Sequence, residues 1–306
     1  MYRRTLLAAG AAAAGLAVMP RLPHAQTRPT IGLVMKSLAN EFFKDMQEGA
    51  VTHARERGDL TLIPVGIQSE TDIDGQIALV ENLVTQRVAA IVIAPADSRA
   101  LLPPIVRAIK AGIKVINIDV AFDPASMKKH GVDIAFVGPD NRAGARLSGD
   151  VLARALGRGG KVVIIEGNPG AENGVQRKLG YTDAVAAGGL TLIDSRTAHW
   201  ETEEANSVFS DMLIAHHDIQ GVMAANDSMA LGAVKAIDAS GHPARIKVVS
   251  FDNIPAIQPL LKNGKVLATV DQFGAQLAAM GIDNAMKEVG GQTLSGWIHT
   301  PVKLIT

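Results

Sequence analysis

Apolar and polar residues follow two different spacings along this chain. Short runs rich in β-branched residues alternate with longer stretches in which apolar residues recur every three to four positions. In the stretch 74–87, for example, Ile77, Val80, Leu83 and Val84 fall on one face of a helix. The short runs are typical of buried strands in a parallel sheet, and the longer stretches are typical of the helices that cover it. The pattern therefore predicts an α/β protein.

The predicted strands fall into two sets, which indicates two similar α/β lobes. The first set covers 30–35, 60–65, 90–94, 114–119 and 134–138, the second covers 161–166, 190–197, 221–225 and 246–251, and two late strands cover 267–270 and 302–305. Helical patterns between them include 42–57, 74–87, 101–111, 142–156 and 275–289. A chain of 306 residues also exceeds the size at which one hydrophobic core usually keeps growing. We expect two doubly wound parallel sheets.

Residues 1–25 form a segment unlike the rest of the chain. Arg3 and Arg4 precede an apolar run, 6–19, and Ala25 ends the segment. This order of basic, apolar and small residues is typical of a cleavable export signal, and the run is shorter than the roughly 20 residues that span a membrane. The paired arginines resemble the twin-arginine pattern, although ordinary Sec signals also begin with basic residues, so both routes stay open. We predict a mature protein in the periplasm.

Charge and motifs argue against several classes of function. Lys plus Arg and Asp plus Glu both total 30, so no strong net field attracts nucleic acid. The absence of cysteine excludes thiolate nucleophiles, disulfides and Cys-ligated zinc, and the chain has no Gly-x-Ser-x-Gly elbow, phosphate-binding loop or Gly-x-Gly-x-x-Gly fingerprint. His216 and His217 are adjacent at the end of a predicted helix, where their side chains diverge and cannot easily share a metal. We expect no enzyme activity, no cofactor, no metal site and no nucleic-acid partner.

Polar and aromatic residues follow the ends of the predicted strands. Doubly wound sheets bind their ligands beyond the carboxyl ends of the strands. The residues in this position are Lys36, Asn40, Phe42, Phe43, Asp119, Asn226, Phe251, Asp252 and Gln272. Each type has a structural alternative, because phenylalanines at a helix start also suit a core, asparagine and aspartate suit caps and turns, and a loop lysine is usually exposed. Local sequence alone leaves both roles open.

Five motifs give the chain a more specific likeness. They are Ile31-Gly32-Leu33-Val34 with Asn40-Glu41-Phe42-Phe43, then Pro95-Ala96-Asp97-Ser98, Val115-Ile116-Asn117-Ile118-Asp119, the run from Ala225 to Gly232, and Val249-Ser250-Phe251-Asp252. Each motif is weak alone. In this order and spacing the chain resembles the type I periplasmic binding proteins, and within them the ribose-binding group, over essentially its whole mature length.

The resemblance implies two α/β lobes joined by three chain crossings. The crossings would lie near Gly138-Pro139, Gln272-Phe273 and Gly296-Trp297. The N-terminal lobe would comprise 26–138 and 273–296, and the C-terminal lobe would comprise 139–272 and 297–306.

The resemblance also implies a sugar held between the lobes. A sugar has C–H faces that stack on aromatic rings and hydroxyl groups that need directional partners. The matching aromatic residues are Phe42, Phe43 and Trp200, and the matching polar residues are Asn40, Asp119, Asn226, Asp252 and Gln272, with Phe251 packing beside Asp252. Lys36 is a further candidate for ligand contact.

Four positions depart from the pattern of the ribose binders. Val120 and Val175 stand where arginines are expected, Lys36 stands where a small polar residue is usual, and Trp200 stands where phenylalanine is common. Both arginine forks would then be missing, and a lysine ammonium does not reproduce their planar donor geometry. We therefore expect a pentose other than ribose, or a small sugar alcohol.

The function that the resemblance implies is substrate binding for an ABC importer. A monomeric periplasmic protein would bind the sugar or polyol and deliver it to the membrane permease. An alternative is a periplasmic sugar sensor whose closed form is recognised by a chemoreceptor or a histidine kinase, and the sequence leaves this alternative open. Sugar-responsive repressors share the two-lobe core but begin with a DNA-binding helix-turn-helix, whereas this chain begins with an export signal.

Overall fold

The computed structural model of the protein describes residues 28–241 and 246–306, and the predicted signal peptide, 1–25, lies outside these ranges. Within them, strands and helices alternate along the chain as the sequence predicts. In the same two ranges, no helix combines the length and the apolar character that crossing a membrane requires.

The elements follow one another in chain order. Those of the first half are β1 (Thr30–Ser37), α1 (Glu41–Arg57), β2 (Thr61–Ile67), α2 (Ile73–Thr85), β3 (Ala90–Ile93), α3 (Leu102–Lys110), β4 (Lys114–Ile118), α4 (Pro124–His130) and β5 (Phe136–Gly138). Those of the second half are α5 (Asn141–Leu156), β6 (Lys161–Glu166), α6 (Glu172–Gly188), β7 (Thr191–Thr197), α7 (Thr202–Ala215), β8 (Gly221–Ala224), α8 (Asp227–Ala239), β9 (Lys247–Val249), α9 (Gln258–Lys262), β10 (Val266–Asp271), α10 (Gly274–Val289), β11 (Trp297–His299) and β12 (Lys303–Ile305).

The strands form two six-stranded sheets, one in each lobe. The first sheet has the order β2-β1-β3-β4-β5-β11, and the second has the order β7-β6-β8-β9-β10-β12. All neighbouring strands are parallel except β12, which pairs antiparallel with β10. The predicted fold class, two parallel-sheet α/β lobes, is confirmed.

Helices cover both faces of the first sheet. Ile31 and Leu33 of β1 belong to one buried cluster with Met46 of α1, whereas Val34 belongs to another cluster with Leu83 of α2. Because successive side chains of a strand point to opposite faces, β1 is apolar on both. This explains why its sequence is a continuous apolar run without polar alternation.

The order of the strands reverses once in each sheet. In the first sheet β1 pairs with both β2 and β3, and in the second β6 pairs with both β7 and β8, so the order reverses at β1 and at β6. Ligands of open α/β sheets bind outside the carboxyl ends of the strands at such a reversal.

The chain passes between the lobes after β5, after β10 and after β11. Helix α10 returns to the first lobe, where it packs on α1, β3 and β4. The predicted third crossing at Gly296-Trp297 is wrong, because β11 pairs in parallel with β5, with Trp297 opposite Phe136 and His299 opposite Gly138. The crossing lies between His299 and Lys303, so residues 297–299 belong to the first lobe and not to the C-terminal one.

Candidate functional site

A small cavity lies between the two lobes. The residues that line it are Lys36, Asn40, Phe42, Phe43, Glu70, Asp119, Asn173, Arg177, Trp200, Asn226, Asp252 and Gln272. Nine of the ten residues that the sequence predicts for the site are among them, and the tenth, Phe251, packs directly behind Arg177. Three lining residues, Glu70, Asn173 and Arg177, were not predicted.

The first lobe presents Asn40 and two aromatic rings at the start of α1. The Asn40 side chain accepts a hydrogen bond from the backbone N–H of Phe42 at 3.1 Å, and its Nδ2 donates to Glu70 at 3.0 Å. Asn40 therefore caps the helix and lines the cavity at the same time. The rings of Phe42 and Phe43 are buried and meet edge to face, with 5.1 Å between their centroids.

The second lobe positions Asn226 in the same way at the start of α8. Its Oδ1 accepts from the backbone N–H of Met229 at 2.8 Å, so it caps this helix. Trp200 lies close by, since the Asn226 Nδ2 donates to the Trp200 carbonyl at 3.4 Å. The indole fits here because the chain has glycine at position 167, where a Cβ atom would come within 2.1 Å of the Trp200 ring.

Three cavity residues have a left-handed backbone. The φ angles of Asp119, Trp200 and Asp252 are 63°, 71° and 118°. Such angles are uncommon for residues other than glycine and store about 1–3 kcal/mol each, and they cluster at ligand sites, where the surrounding structure imposes them. The strain is consistent with loops shaped to aim these side chains into the cavity.

Arg177 corrects the expectation that both arginine forks are missing. It is almost fully buried, its Nη1 donates to the Ala225 carbonyl at 2.9 Å and to Asp252 Oδ1 at 3.2 Å, and its Nε donates to Asn141 Oδ1 at 2.8 Å. Val175, two residues earlier on α6, is 39% exposed. Two residues turn a helix by about 200°, so position 177 faces the cavity when position 175 faces away from it.

Lys36 is buried and not a solvent-exposed loop lysine. Its Nζ lies 2.9 Å from a carboxylate oxygen of Glu70, and both side chains are at most 2% exposed. The ammonium also lies 5.3 Å from the Phe43 ring centroid and 5.1 Å from that of Trp200, so it sits between rings from the two lobes. Glu70 also follows a strand end, three residues after β2, but no motif of the resemblance includes it, and the sequence interpretation left out the loop after this strand.

Several buried polar atoms around the cavity have no hydrogen-bond partner in the described part of the chain. They are both carboxylate oxygens of Asp119, Oδ1 of Asn173, Nε1 of Trp200 and Oε1 of Gln272. An unsatisfied buried polar group costs about 1–3 kcal/mol. The cavity therefore offers acceptors and a donor, next to aromatic rings, to a small molecule that carries several hydroxyl groups.

Burial changes the pKa values of the cavity carboxyl groups. Burial raises the pKa of Asp119. The positive charges of Lys36 and Arg177 partly oppose this rise, because they favour the charged form of the carboxyl group. Burial also raises the pKa of Asp252 well above its usual range, against the opposing effect of Arg177. A hydroxyl group that donates to Asp119 would supply a partner that this carboxylate does not find among residues 28–241 and 246–306.

The two lobes contact each other around the cavity. Hydrogen bonds between them run from Ser98 N to Gly170 O at 2.9 Å, from Glu172 N to Ser98 Oγ at 2.9 Å, from Glu70 N to Glu201 Oε1 at 2.9 Å, from Ala256 N to Glu41 Oε2 at 3.1 Å and from Ser228 Oγ to Asn40 Oδ1 at 3.3 Å. The structure is thus a closed arrangement that buries the cavity-lining side chains.

The sequence of this chain is similar to those of several known proteins. The model of a family described as periplasmic binding protein domain matches residues 31–293. The D-ribose/D-allose-binding protein of Pseudomonas aeruginosa is 47% identical over 99% of this chain and 98% of its own length. The D-allose-binding periplasmic protein of Escherichia coli is 34% identical over 82% of this chain and 81% of its own length.

Solved structures agree with the sequence comparison. An ABC transporter solute-binding protein from Burkholderia multivorans, with an unknown ligand, superimposes with a TM-score of 0.89 at 44% identity and covers 91% of this chain and 99% of its own. An ABC transporter periplasmic solute-binding protein from Actinobacillus succinogenes with bound D-allose superimposes with a TM-score of 0.85 at 37% identity. The match covers 90% of this chain and 97% of that protein.

Proposed function

Because the chain belongs to the family of periplasmic binding proteins, we propose that it binds a monosaccharide between its lobes and delivers it to the permease of an ABC importer. The protein is a binding protein and not an enzyme. The observation that carries the proposal is the set of unsatisfied buried polar atoms around the cavity, beside aromatic rings. A sugar supplies hydroxyl groups for the former and C–H faces for the latter.

We place aldoses of the D-ribose and D-allose type first among the ligands. The expectation of a pentose other than ribose, or of a small sugar alcohol, depended on the loss of both arginine forks, and Arg177 lines the cavity. The relative from P. aeruginosa is a D-ribose/D-allose-binding protein, and the structure from A. succinogenes holds D-allose. D-Allose repeats the configuration of D-ribose at the shared ring carbons and adds one hydroxymethyl group, so one cavity can hold the common hydroxyl groups of both.

Calorimetric titration of the refolded, ligand-free mature protein tests the ligand. D-Allose, D-ribose, D-arabinose, D-glucose, ribitol and erythritol are titrated in parallel, and each is also tested for an increase in Tm, since a ligand bound only by the folded state stabilises it. Binding of D-allose or D-ribose supports the proposal. Binding of ribitol or erythritol alone would instead support the small sugar alcohol, and no binding of any of them would contradict a sugar or polyol ligand.

The role in import is tested in the cell. Deletion of the gene should abolish high-affinity uptake of the labelled sugar that the purified protein binds, and expression in trans should restore it. Normal uptake together with a lost chemotactic or transcriptional response to the sugar would favour the sensor alternative.

We further propose that residues 1–25 direct export and that the mature protein is a periplasmic monomer. The E. coli relative is a periplasmic protein by its name. N-terminal sequencing of the protein from a periplasmic fraction should begin at Gln26, and light scattering should give the mass of one chain. Retention in the cytoplasm, or a dimer mass, would contradict the respective part.

A further inference from the structure

Glu70 lies in the loop between β2 and α2, and its carboxylate is buried among cavity residues. It is 1% exposed, pairs with Lys36 at 2.9 Å and accepts from the Asn40 Nδ2 at 3.0 Å. A buried lysine needs a counterion to remain charged. Glu70 forms a salt bridge with the Lys36 ammonium, and so its carboxylate is placed to hold that ammonium at the cavity.

The backbone of Glu70 faces the other lobe. Its N–H donates to Oε1 of Glu201 at 2.9 Å, and Ser69 Oγ donates to the same atom at 3.4 Å. Glu201 occupies the N-cap position of α7, but its side chain makes no capping hydrogen bond to that helix. The Glu201 carboxylate is therefore used between lobes and not within its own.

The second lobe also contacts Lys36, the partner of Glu70, inside the cavity. Trp200, the neighbour of Glu201, places its ring 5.1 Å from the Lys36 ammonium. Lobe closure thus brings a ring towards the ammonium and a carboxylate towards the Glu70 backbone in one movement. It also brings two carboxylates, those of Glu70 and Glu201, near each other, and the positive charge of Lys36 offsets their repulsion.

We propose that Glu70 is a positioning residue, which holds the Lys36 ammonium at the cavity through its carboxylate and receives Glu201 through its backbone N–H when the lobes close. The inference rests on the proposed function, because Glu70 would connect sugar binding in the cavity to closure of the lobes. Glu70 acts on the sugar through Lys36, and Glu201 stabilises the closed form without touching the sugar.

Glu201→Ala tests the contact between lobes, and Glu203→Ala is its matched control. Glu203 lies on the same helix but is exposed and pairs with Lys235 of its own lobe. Loss of a hydrogen bond to a carboxylate should raise the dissociation rate of D-allose or D-ribose about tenfold in Glu201→Ala, with the ligand-free Tm unchanged. Equal dissociation rates in the two variants would overturn this part.

A double-mutant cycle of Glu70→Gln and Lys36→Met tests whether Glu70 acts through Lys36. Glu70→Gln should weaken binding in the natural background and have little further effect in the Lys36→Met background. If the losses of binding free energy caused by the two substitutions are additive in the double variant, the proposal is overturned. If Glu70→Gln alone does not fold, Lys36→Met and the double variant are compared directly, and unequal affinities then overturn it.

A measurement without sugar separates this inference from the proposed function. Because the chain contains no cysteine, spin labels can be attached at Ala78→Cys on α2 and Ser207→Cys on α7, both at exposed positions. Failure of the natural protein to bind any sugar would contradict the proposed function. The distance between the labels then decides the inference: a smaller closed fraction in Glu201→Ala than in Glu203→Ala supports it, and equal fractions overturn it.

Discussion

The guanidinium carbon of Arg177 lies 3.7 Å from the centroid of the Phe251 ring. The ring supports the guanidinium from one side, while Asp252 and the Ala225 carbonyl accept its hydrogen bonds at 3.2 and 2.9 Å. A planar group with fixed donors suits this combination of stacking and hydrogen bonding, and a lysine ammonium does not. Phe251 therefore contributes to the site by positioning Arg177.

Arg177→Met should destabilise the protein strongly. It leaves the buried Asp252 without its cation, and breaking such a pair typically costs about 3–5 kcal/mol. Combining it with Asp252→Asn should recover part of this loss, because no buried charge then remains unpaired. Urea denaturation measures the effect, with Arg146→Met as control, since Arg146 is half exposed and pairs with Asp150 only at 3.6 Å. A free energy of unfolding equal to that of the control would contradict the prediction.

Asp119→Asn should remove sugar binding without lowering the stability of the ligand-free protein. Both oxygens of Asp119 are buried without a partner among the described residues, so the carboxylate contributes little favourable interaction to the ligand-free fold. The substitution should abolish the rise in Tm on adding sugar and leave the ligand-free Tm equal or higher. Asp211→Asn, at an exposed position of α7, is the control. An unchanged response to sugar in Asp119→Asn would exclude Asp119 from the site.

Tryptophan fluorescence should report sugar binding through Trp200 alone. The chain contains two tryptophans: Trp200 is buried at the cavity, and Trp297 is 46% exposed on β11. Sugar should change the emission of the natural protein and of Trp297→Phe to the same extent, whereas Trp200→Phe should lose the change. A signal that disappears with Trp297→Phe would instead indicate that the hinge region senses the ligand.

The stability of the ligand-free protein should fall as pH rises from about 4 to 7. Burial raises the pKa of Asp227 to about 7 from its ordinary 3.8, against the opposing hydrogen bonds from Ser250 and Ile254. Between pH 3.8 and pH 7 the folded chain keeps a proton on Asp227 that the unfolded chain has released. The stability that comes from this proton is therefore fully present below pH 3.8 and is lost as the pH rises to about 7. The effect of this group is at most about 4 kcal/mol.

Asp227→Asn should make this pH dependence shallower. Asp119 and Asp252 also have raised pKa values and act in the same direction, so part of the slope should remain. Urea denaturation at pH 4 and pH 7 measures the slope, which is compared between the two proteins because the substitution also changes absolute stability. Parallel pH dependences would exclude Asp227 as the source.

The sequence by itself determined the order of strands and helices and the loops that carry most of the site. Local spacing encodes an element, as in β1, where an unbroken apolar run forms a strand buried on both faces. Asn40 and Asn226 were predicted as ligand residues, with a helix cap as the alternative for Asn226, and in the structure each side chain caps a helix and lines the cavity. A cap at the end of a strand-to-helix loop can do both, because the loop ends where the ligand of such a sheet binds.

Only the tertiary structure decided which residues meet across long separations. Arg177 faces Asp252, which lies 75 positions later, and the rotation of α6 that brings it there is set by how the whole helix packs on α5. Glu70 carries no local pattern that relates it to Lys36, and β11 is too short to stand out from its surroundings in the sequence. Contacts of this kind depend on how lobes and helices pack, and that packing is a property of the assembled core and not of neighbouring residues.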